Sequence, residues 1–232
     1  MRIRDMNWMQ VEALLKTGED RVVLPLGSIE QHAWLSLAVD ALLAEAVAVD
    51  AAEPLGVPVF AAQPYGYTPT YMAFPGTVTL KLATLLAVLG DIVESLHHHG
   101  FRRVLVVNGH GGNSAGASLA QELMARLPGL KLRWHNWWSA PKTWAFVQAQ
   151  DREASHASWM ENFASTRLAG VVPPTAPKPL VDYARMALMD PVDKRAYLGD
   201  GCYGGRYEVP AEVSDQLWRI AVDETRAALR DW

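Results

Sequence analysis

Short, almost uninterrupted apolar runs alternate along the chain with longer stretches in which apolar residues recur every three or four positions. Trp8, Val11, Leu14 and Leu15 share one helical face, with Asn7 placed to cap that helix and Gly18 to stop it. Residues 21–29 carry no charge between Arg21 and Glu30, the pattern of a strand covered on both faces. The Ala- and Leu-rich segment Asp40–Ala52 predicts a helix, Val57–Ala62 a second strand, and the turn-rich stretch Gln63–Gly76 a loop. Thr79 is placed to cap a long helix ending at His97-His98-His99-Gly100. Residues 102–107 predict a third strand, Ser114–Leu127 another helix and Leu130–Trp134 a fourth strand. Past Pro173-Pro174, the Gly-, Pro- and Tyr-rich stretch Lys178–Pro210 predicts irregular backbone, and Pro210 the start of a final helix. This alternation predicts an α/β fold, a mostly parallel β-sheet flanked by helices, with residues 1–232 forming one domain.

Composition narrows the functional classes. A chain of 232 residues, 50% of them apolar, buries a sizeable single core. A formal net charge of −4 gives no basic surface for nucleic acid or an anionic membrane, so a small-molecule substrate is the expected partner. Cys202 is the only cysteine, which excludes an intrachain disulfide and a Cys-rich zinc site. Met1-Arg2-Ile3-Arg4-Asp5 is charged where a signal peptide is apolar, and no run approaches the roughly 20 apolar residues of a membrane span. The expected location is the cytoplasm.

In parallel α/β sheets, ligands gather at the carboxyl ends of the strands. Two clusters fall there. Glu30-Gln31-His32 sits behind the first apolar strand, with Asp40 eight residues after the histidine. Glu30 and His32, two apart, point to the same side of an extended strand end. Asp40 follows a short loop and is placed to fold back as a third ligand, suited to bridging two divalent ions. The second cluster, Asn108-Gly109-His110-Gly111-Gly112-Asn113, follows the strand at 102–107. Its glycines permit close backbone approach. It lacks the Gly-Lys-Ser/Thr of a phosphate loop and the third glycine of a dinucleotide fingerprint, so metal binding by His110 is the reading. Two strand ends offering carboxylate and imidazole predict one divided metal site, and with it a metallohydrolase.

Other candidates are weighed against that site. His156 and Glu161 are five apart, which places His156 before a helix and Glu161 within it. His97, His98 and His99 point about 100° apart on a helix and cannot share one ion; a helix C-terminus accounts for them. Gly112-Asn113-Ser114-Ala115-Gly116 matches a nucleophile elbow, with Asp151 and His156 following in the order of a serine esterase. An elbow serine belongs on the turn at the strand end, yet Asn108 to Asn113 intervene, and this alternative leaves Glu30, His32 and Asp40 without a role. A non-catalytic metal-binding assembly protein is the other alternative.

Leu24-Pro25-Leu26-Gly27-Ser28-Ile29-Glu30-Gln31-His32, Phe74-Pro75-Gly76-Thr77 and Asn108-Gly109-His110-Gly111-Gly112-Asn113, in that order and spacing, resemble the creatininase (creatinine amidohydrolase) family from about residue 5 to about residue 170. The resemblance implies a dinuclear metal site, commonly zinc or manganese and in some cases iron, that hydrolyses amide-type C–N bonds. Family members open creatinine, hydrolyse formamides in flavin and deazaflavin precursor pathways, and include a peptidase of the mycofactocin pathway; homohexamers are usual. Carried over by position, Glu30, His32, Asp40 and His110 are metal ligands, with Asp40 bridging.

The chain departs from the family pattern in three places. Creatinine-hydrolysing members have a Tyr-Glu pair, its Glu a ligand, where this chain has Gly111-Gly112. Glu161 matches the downstream Glu of other members and is expected to supply the missing carboxylate. Ala33-Trp34-Leu35-Ser36-Leu37 replaces Gly-Pro-His-Leu-Pro, one residue shorter before the aspartate, and Ser158 and Asn162 replace the common Gly and Thr. The metal centre is thus expected to be retained and the pocket changed, with a larger planar amide, formamide or lactam preferred over creatinine. His156 is the expected proton shuttle. Trp34 and Trp159, each beside a ligand segment, are expected to line the pocket. Trp134, Trp137, Trp138 and Trp144 are expected in the core or at a subunit interface, with some at the site's mouth as the alternative.

Overall fold

Three parallel strands, β1 (Arg21–Leu26), β2 (Arg103–Asn108) and β3 (Lys131–Asn136), form the centre of the computed structural model, which describes residues 1–232. Their register sets Val22 against Val104 and Val104 against Leu132; Leu26, Asn108 and Asn136 align at the carboxyl end. β1 and β2 are buried at every position but the first, as continuous apolar runs require. Side chains alternate between the faces. Val23, Leu105 and Val107 pack on α2 (Val39–Ala52) and α8 (Ala211–Arg230), whereas Val22, Leu24, Val104 and Val106 pack on α3 (Leu82–His98) and α4 (Gly116–Arg126). α1 (Trp8–Lys16) begins at Asn7, whose side chain accepts from Gln10 N in a reciprocal capping box.

The observed elements differ from the expected ones at identifiable points. Val57–Ala62 runs beside β1 but makes only isolated bridges, at Val59 and then Gln63. Pro58 has no N–H to donate, and Ala62 N bonds the Glu45 carboxylate instead of a strand. Thr79 does not cap α3; its hydroxyl accepts from Thr68 N and donates to Leu80 O, tying the preceding loop. Ser114 lies in a 3-10 turn, Gly111–Ala115, that precedes α4. After α5 (Pro141–Gln150), the stretch expected to be irregular contains α6 (Tyr183–Met186) and α7 (Pro191–Leu198), each N-capped by an aspartate, Asp182 and Asp190.

One packing contact positions the site. A Cβ on Gly109 would lie 2.3 Å from Asp40 O, so only glycine lets the end of β2 approach the first turn of α2 this closely.

β3 also gives the fold a pH dependence. His135 Nε2 lies 3.0 Å from Thr225 Oγ1, and burial pushes its pKa down from 6.5 to about 4 against the opposing pull of Glu224. The unfolded chain therefore binds more protons between those values, and stability falls as pH drops from 6.5 toward 4. At about pH 4.5 the loss from this one group is expected to reach ~2 kcal/mol. His135→Gln, which retains an amide for Thr225, should lose less stability than wild type between neutral pH and pH ~4.5, as read from urea midpoints. An identical decline in both proteins would contradict this assignment.

Candidate metal centre

The loop after β1 folds back on itself, with Glu30 N bonded to Leu37 O at 3.0 Å and Ala33 in the left-handed region at φ 50°. Few non-glycine residues take that conformation, and here it turns the chain directly behind His32. Asp40 occupies the first turn of α2. His110 is held at the end of β2 by Asn108, whose Nδ2 donates to His110 O at 2.6 Å and to Asn136 Oδ1 at 2.9 Å. Glu161 closes a 3-10 turn, Trp159–Glu161, and accepts from Ala157 N at 2.6 Å; Ala157 too is left-handed, at φ 61°.

These elements bring Glu30, His32, Asp40, His110 and Glu161 together, each at most 7% exposed. His110 Nδ1 lies 3.1 Å from Glu30 Oε1 and 3.2 Å from Asp40 Oδ2. His32 Nε2 lies 3.0 Å from Asp40 Oδ1 and 3.9 Å from Glu161 Oε2. Three groups of donors have their atoms within 4.8 Å of one another: two triads that share Asp40, Glu30/Asp40/His110 and His32/Asp40/Glu161, and a third, Glu30/His32/His156.

The cluster has the chemistry of a divalent-cation site. Glu30 Oε1 and Oε2, Asp40 Oδ2 and His32 Nε2 are buried without a hydrogen-bond partner, although some contacts are short. Isolated buried carboxylates cost several kcal/mol each, and no lysine or arginine pairs with these. Each histidine's other nitrogen faces a backbone carbonyl: His32 Nδ1 is 3.2 Å from Glu30 O, and His110 Nε2 is 3.0 Å from Tyr67 O. A carbonyl can only accept, so those nitrogens carry the protons. His32 Nε2 and His110 Nδ1 face the carboxylates and are therefore the nitrogens that would bind a cation once their protons are displaced. Carboxylate and imidazole donors with outer hydrogen bonds of this kind suit zinc or manganese.

The electrostatics agree. Burial opposes a charge on His32, but Asp40, then Glu161 and Glu30, outweigh it and hold its pKa at about 10. His110 is likewise held well above its ordinary value, burial being overcome by Glu30 and Asp40. Burial would raise Asp40, but the two histidines bring it below the usual carboxylate range. Burial pushes Glu161 up to about 7. The excess of negative potential that proton uptake relieves here is what a cation would relieve.

A cavity of about 790 Å³ opens over the cluster, walled by Tyr67, Tyr71, Trp138, Trp144, Tyr183 and Tyr203. His156 lines it. Its Nε2 is 3.0 Å from Gln31 O, its ring stacks on Tyr71 at 5.2 Å, and its Nδ1 lies 4.0 Å from Glu30 Oε1.

Two pocket expectations are corrected. Trp159 is fully buried against Val147 and Leu217, in the core behind the Glu161 turn. Trp34 is 37% exposed and donates to Asp200 Oδ2, because the left-handed turn at Ala33 carries its side chain outward. The aromatic wall comes instead from Trp138 and Trp144, which follow β3 in sequence, and from tyrosines that spacing did not single out. The serine-esterase alternative has no geometric basis. Ser114 Oγ donates to Gly111 O at 2.6 Å, and Asp151 bonds Arg206 and Glu153 N rather than His156. Gly112 cannot take the family's carboxylate in this backbone, since a Cβ there would lie 2.2 Å from Tyr67 O and 2.4 Å from His110 Nε2.

Comparison with known proteins agrees with the fold and the motifs. The family model for creatininase, described as creatinine amidohydrolase, matches residues 4–229. Creatinine amidohydrolase of Pseudomonas putida is 36% identical over 118 residues, 48% of this chain and 45% of that protein. The mycofactocin precursor peptide peptidase of Mycolicibacterium smegmatis (strain ATCC 700084 / mc(2)155) is 36% identical over 110 residues, 44% of each chain. The chain thus matches less than half the length of these curated relatives. Solved structures align more fully. A creatinine amidohydrolase (creatininase) crystal structure gives a TM-score of 0.78 at 28% identity, covering 98% of this chain and 95% of that one. The structure described as creatininase Mn gives 0.79 at 27%, covering 99% and 97%. With the family match running almost from end to end, the chain belongs to the creatininase family.

Proposed function

We propose that the protein is a metal-dependent amidohydrolase that cleaves a non-peptide C–N bond in an amide, formamide or lactam. The observation that carries this reading is the pair of buried donor triads sharing Asp40, with the Glu30, His32 and Asp40 atoms otherwise unpartnered. Glu30, Asp40 and His110 would hold one ion and His32, Asp40 and Glu161 the other, with Asp40 bridging. Zinc and manganese are the favoured metals, supported by the donor set and by structural relatives described as Mn and Zn-Zn types. Two such ions, when bound, supply a water of lowered pKa and polarise the substrate carbonyl.

This chain's own residues do the rest. His156 Nε2 lies 3.0 Å from Gln31 O and 2.9 Å from Gln31 Nε2, which leaves Nδ1 on the side of Glu30 and the cluster, where it would take up a proton in transit and pass it to the leaving nitrogen. The aromatic walls exclude water and favour a planar group. A related creatininase variant is complexed with creatine, which supports a small-molecule substrate here. The cavity is large for creatinine, and Gly111-Gly112 leaves it without the side chains that creatinine-hydrolysing members carry there, so a larger planar amide, formamide or lactam is the preferred substrate. α1 buries none of its residues and exposes Trp8 and Met9, which supports assembly with further copies of the chain, as in the homohexamers of the family.

The test is turnover of creatinine, a formanilide and a planar lactam by manganese- or zinc-loaded protein. EDTA should abolish hydrolysis, and Ser114→Ala should leave it within about twofold. Activity that survives EDTA, or is lost with Ser114, would sink the metal reading. Creatinine turnover at tens per second or more would overturn the substrate preference.

A further inference from the structure

The segment between Lys178 and Tyr207 forms a strap that contributes Tyr183 and Tyr203 to the cavity wall. Its base is closed by Lys178 and Gly205, which exchange backbone hydrogen bonds of 3.0 and 2.8 Å, and by Lys178 Nζ on Asp200 Oδ1 at 2.6 Å. Within it, Tyr203 N donates to His156 O at 3.0 Å, and Tyr203 O accepts from Val181 N at 2.8 Å. Tyr203 is therefore fastened to the backbone of the residue that faces the carboxylate cluster. Its ring lies 4.9 Å from the His156 ring, and Tyr183 packs edge-on against it at 5.8 Å.

The phenol itself is half-used. Tyr71 OH donates to Tyr203 OH, and the Tyr71 ring stacks on His156. Tyr203 thus accepts one hydrogen bond, but its own proton meets no protein acceptor. Tyr203 is half-buried and lines the cavity, so its proton is free to meet a ligand there, and accepting a bond strengthens the hydroxyl as a donor. Burial pushes the Tyr203 pKa up to about 12, so the group keeps its proton at neutral pH. The turn after His110 offers no side chain at Gly111 or Gly112, so a polar contact to substrate has to come from another wall.

We propose that Tyr203 is a substrate-contacting donor whose phenol, held by Tyr71 and by the backbone of His156, hydrogen-bonds the carbonyl oxygen of the bound amide or lactam. The C-terminal strap then recognises the substrate's polar group, and Tyr71 orients the donor. This inference rests on the amidohydrolase reading for the identity of the ligand. A purely structural tyrosine pair is the competing account.

Benzamide and toluene, matched planar probes with and without a carbonyl, separate the two. Binding to zinc-loaded protein is read from quenching of tryptophan fluorescence, with metal content and melting temperature as controls. Tyr203→Phe should weaken benzamide about five- to tenfold, the loss of one hydrogen bond, and leave toluene within about twofold. Tyr71→Phe should weaken benzamide about two- to threefold by releasing the donor. Equal losses for both probes would make the pair structural. Unchanged benzamide affinity, or no benzamide binding to wild type up to its solubility limit, would overturn the proposal. If wild type hydrolyses no amide while Tyr203→Phe still loses benzamide selectively, the hydrolytic reading fails and the contact stands. If wild type is active and Tyr203→Phe binds benzamide normally, the contact alone fails.

Discussion

Asp40→Ala is expected to lose both metal ions and to lower hydrolysis by about a thousandfold or more, the largest effect of any single substitution in the site. Asp40 is the one carboxylate common to both triads, so its removal leaves each set with two donors. His32 Nε2 and His110 Nδ1 each lose an oxygen within 3.2 Å. The fold should survive. Asp40 sits in the first turn of α2, where a carboxylate contributes ~0.3–1 kcal/mol through the helix dipole, and in the metal-free protein its loss trades the attraction of His32 and His110 against relief of repulsion from Glu161. The metal-free variant should therefore melt within a few degrees of metal-free wild type, while zinc should raise the melting temperature of wild type only. Elemental analysis decides the matter: an Asp40→Ala protein that keeps two metals per chain would exclude a bridging role.

Glu161→Gln should have a smaller and different effect. Glu161 belongs to one triad only, so metal content should fall toward one ion per chain and activity by about ten- to a hundredfold. Glutamine keeps a carbonyl oxygen that can accept from Ala157 N, now bonded at 2.6 Å, so the left-handed turn at Ala157 has no reason to collapse. Losing that turn would release Trp159 from the core, and the resulting drop in stability would be seen as a lowered melting temperature. Unchanged metal content and turnover would reduce Glu161 to a loop-closing residue.

How much of this was legible in the sequence follows from which forces act locally. The strands β1 and β2 are buried on both faces, and such strands announce themselves as unbroken apolar runs. Glu30, His32, Asp40 and His110 sit at strand and helix ends whose place in a parallel sheet is set by topology, so their convergence could be anticipated from sequence order. Val57–Ala62 had the composition of a strand, but one proline and one side-chain acceptor broke its ladder, and such competition is invisible to periodicity. Proximity in sequence to a ligand misplaced Trp34 and Trp159, because side-chain direction there is set by the left-handed residues Ala33 and Ala157, which composition does not reveal. Tyr183 and Tyr203 come from a segment without a regular pattern. The one local signal was a tyrosine set among Gly201, Gly204 and Gly205, where positive φ angles let the strap turn sharply at the cavity wall.

The central claim is that two divalent ions share Asp40 between the ends of β1 and β2. Anomalous diffraction from crystals of manganese-loaded protein tests it most directly. The account predicts two anomalous peaks, one among Glu30, Asp40 and His110 and one among His32, Asp40 and Glu161, with an Asp40 oxygen facing each. A single peak remote from Asp40, or an Asp40 carboxylate with neither oxygen on a metal, would contradict it.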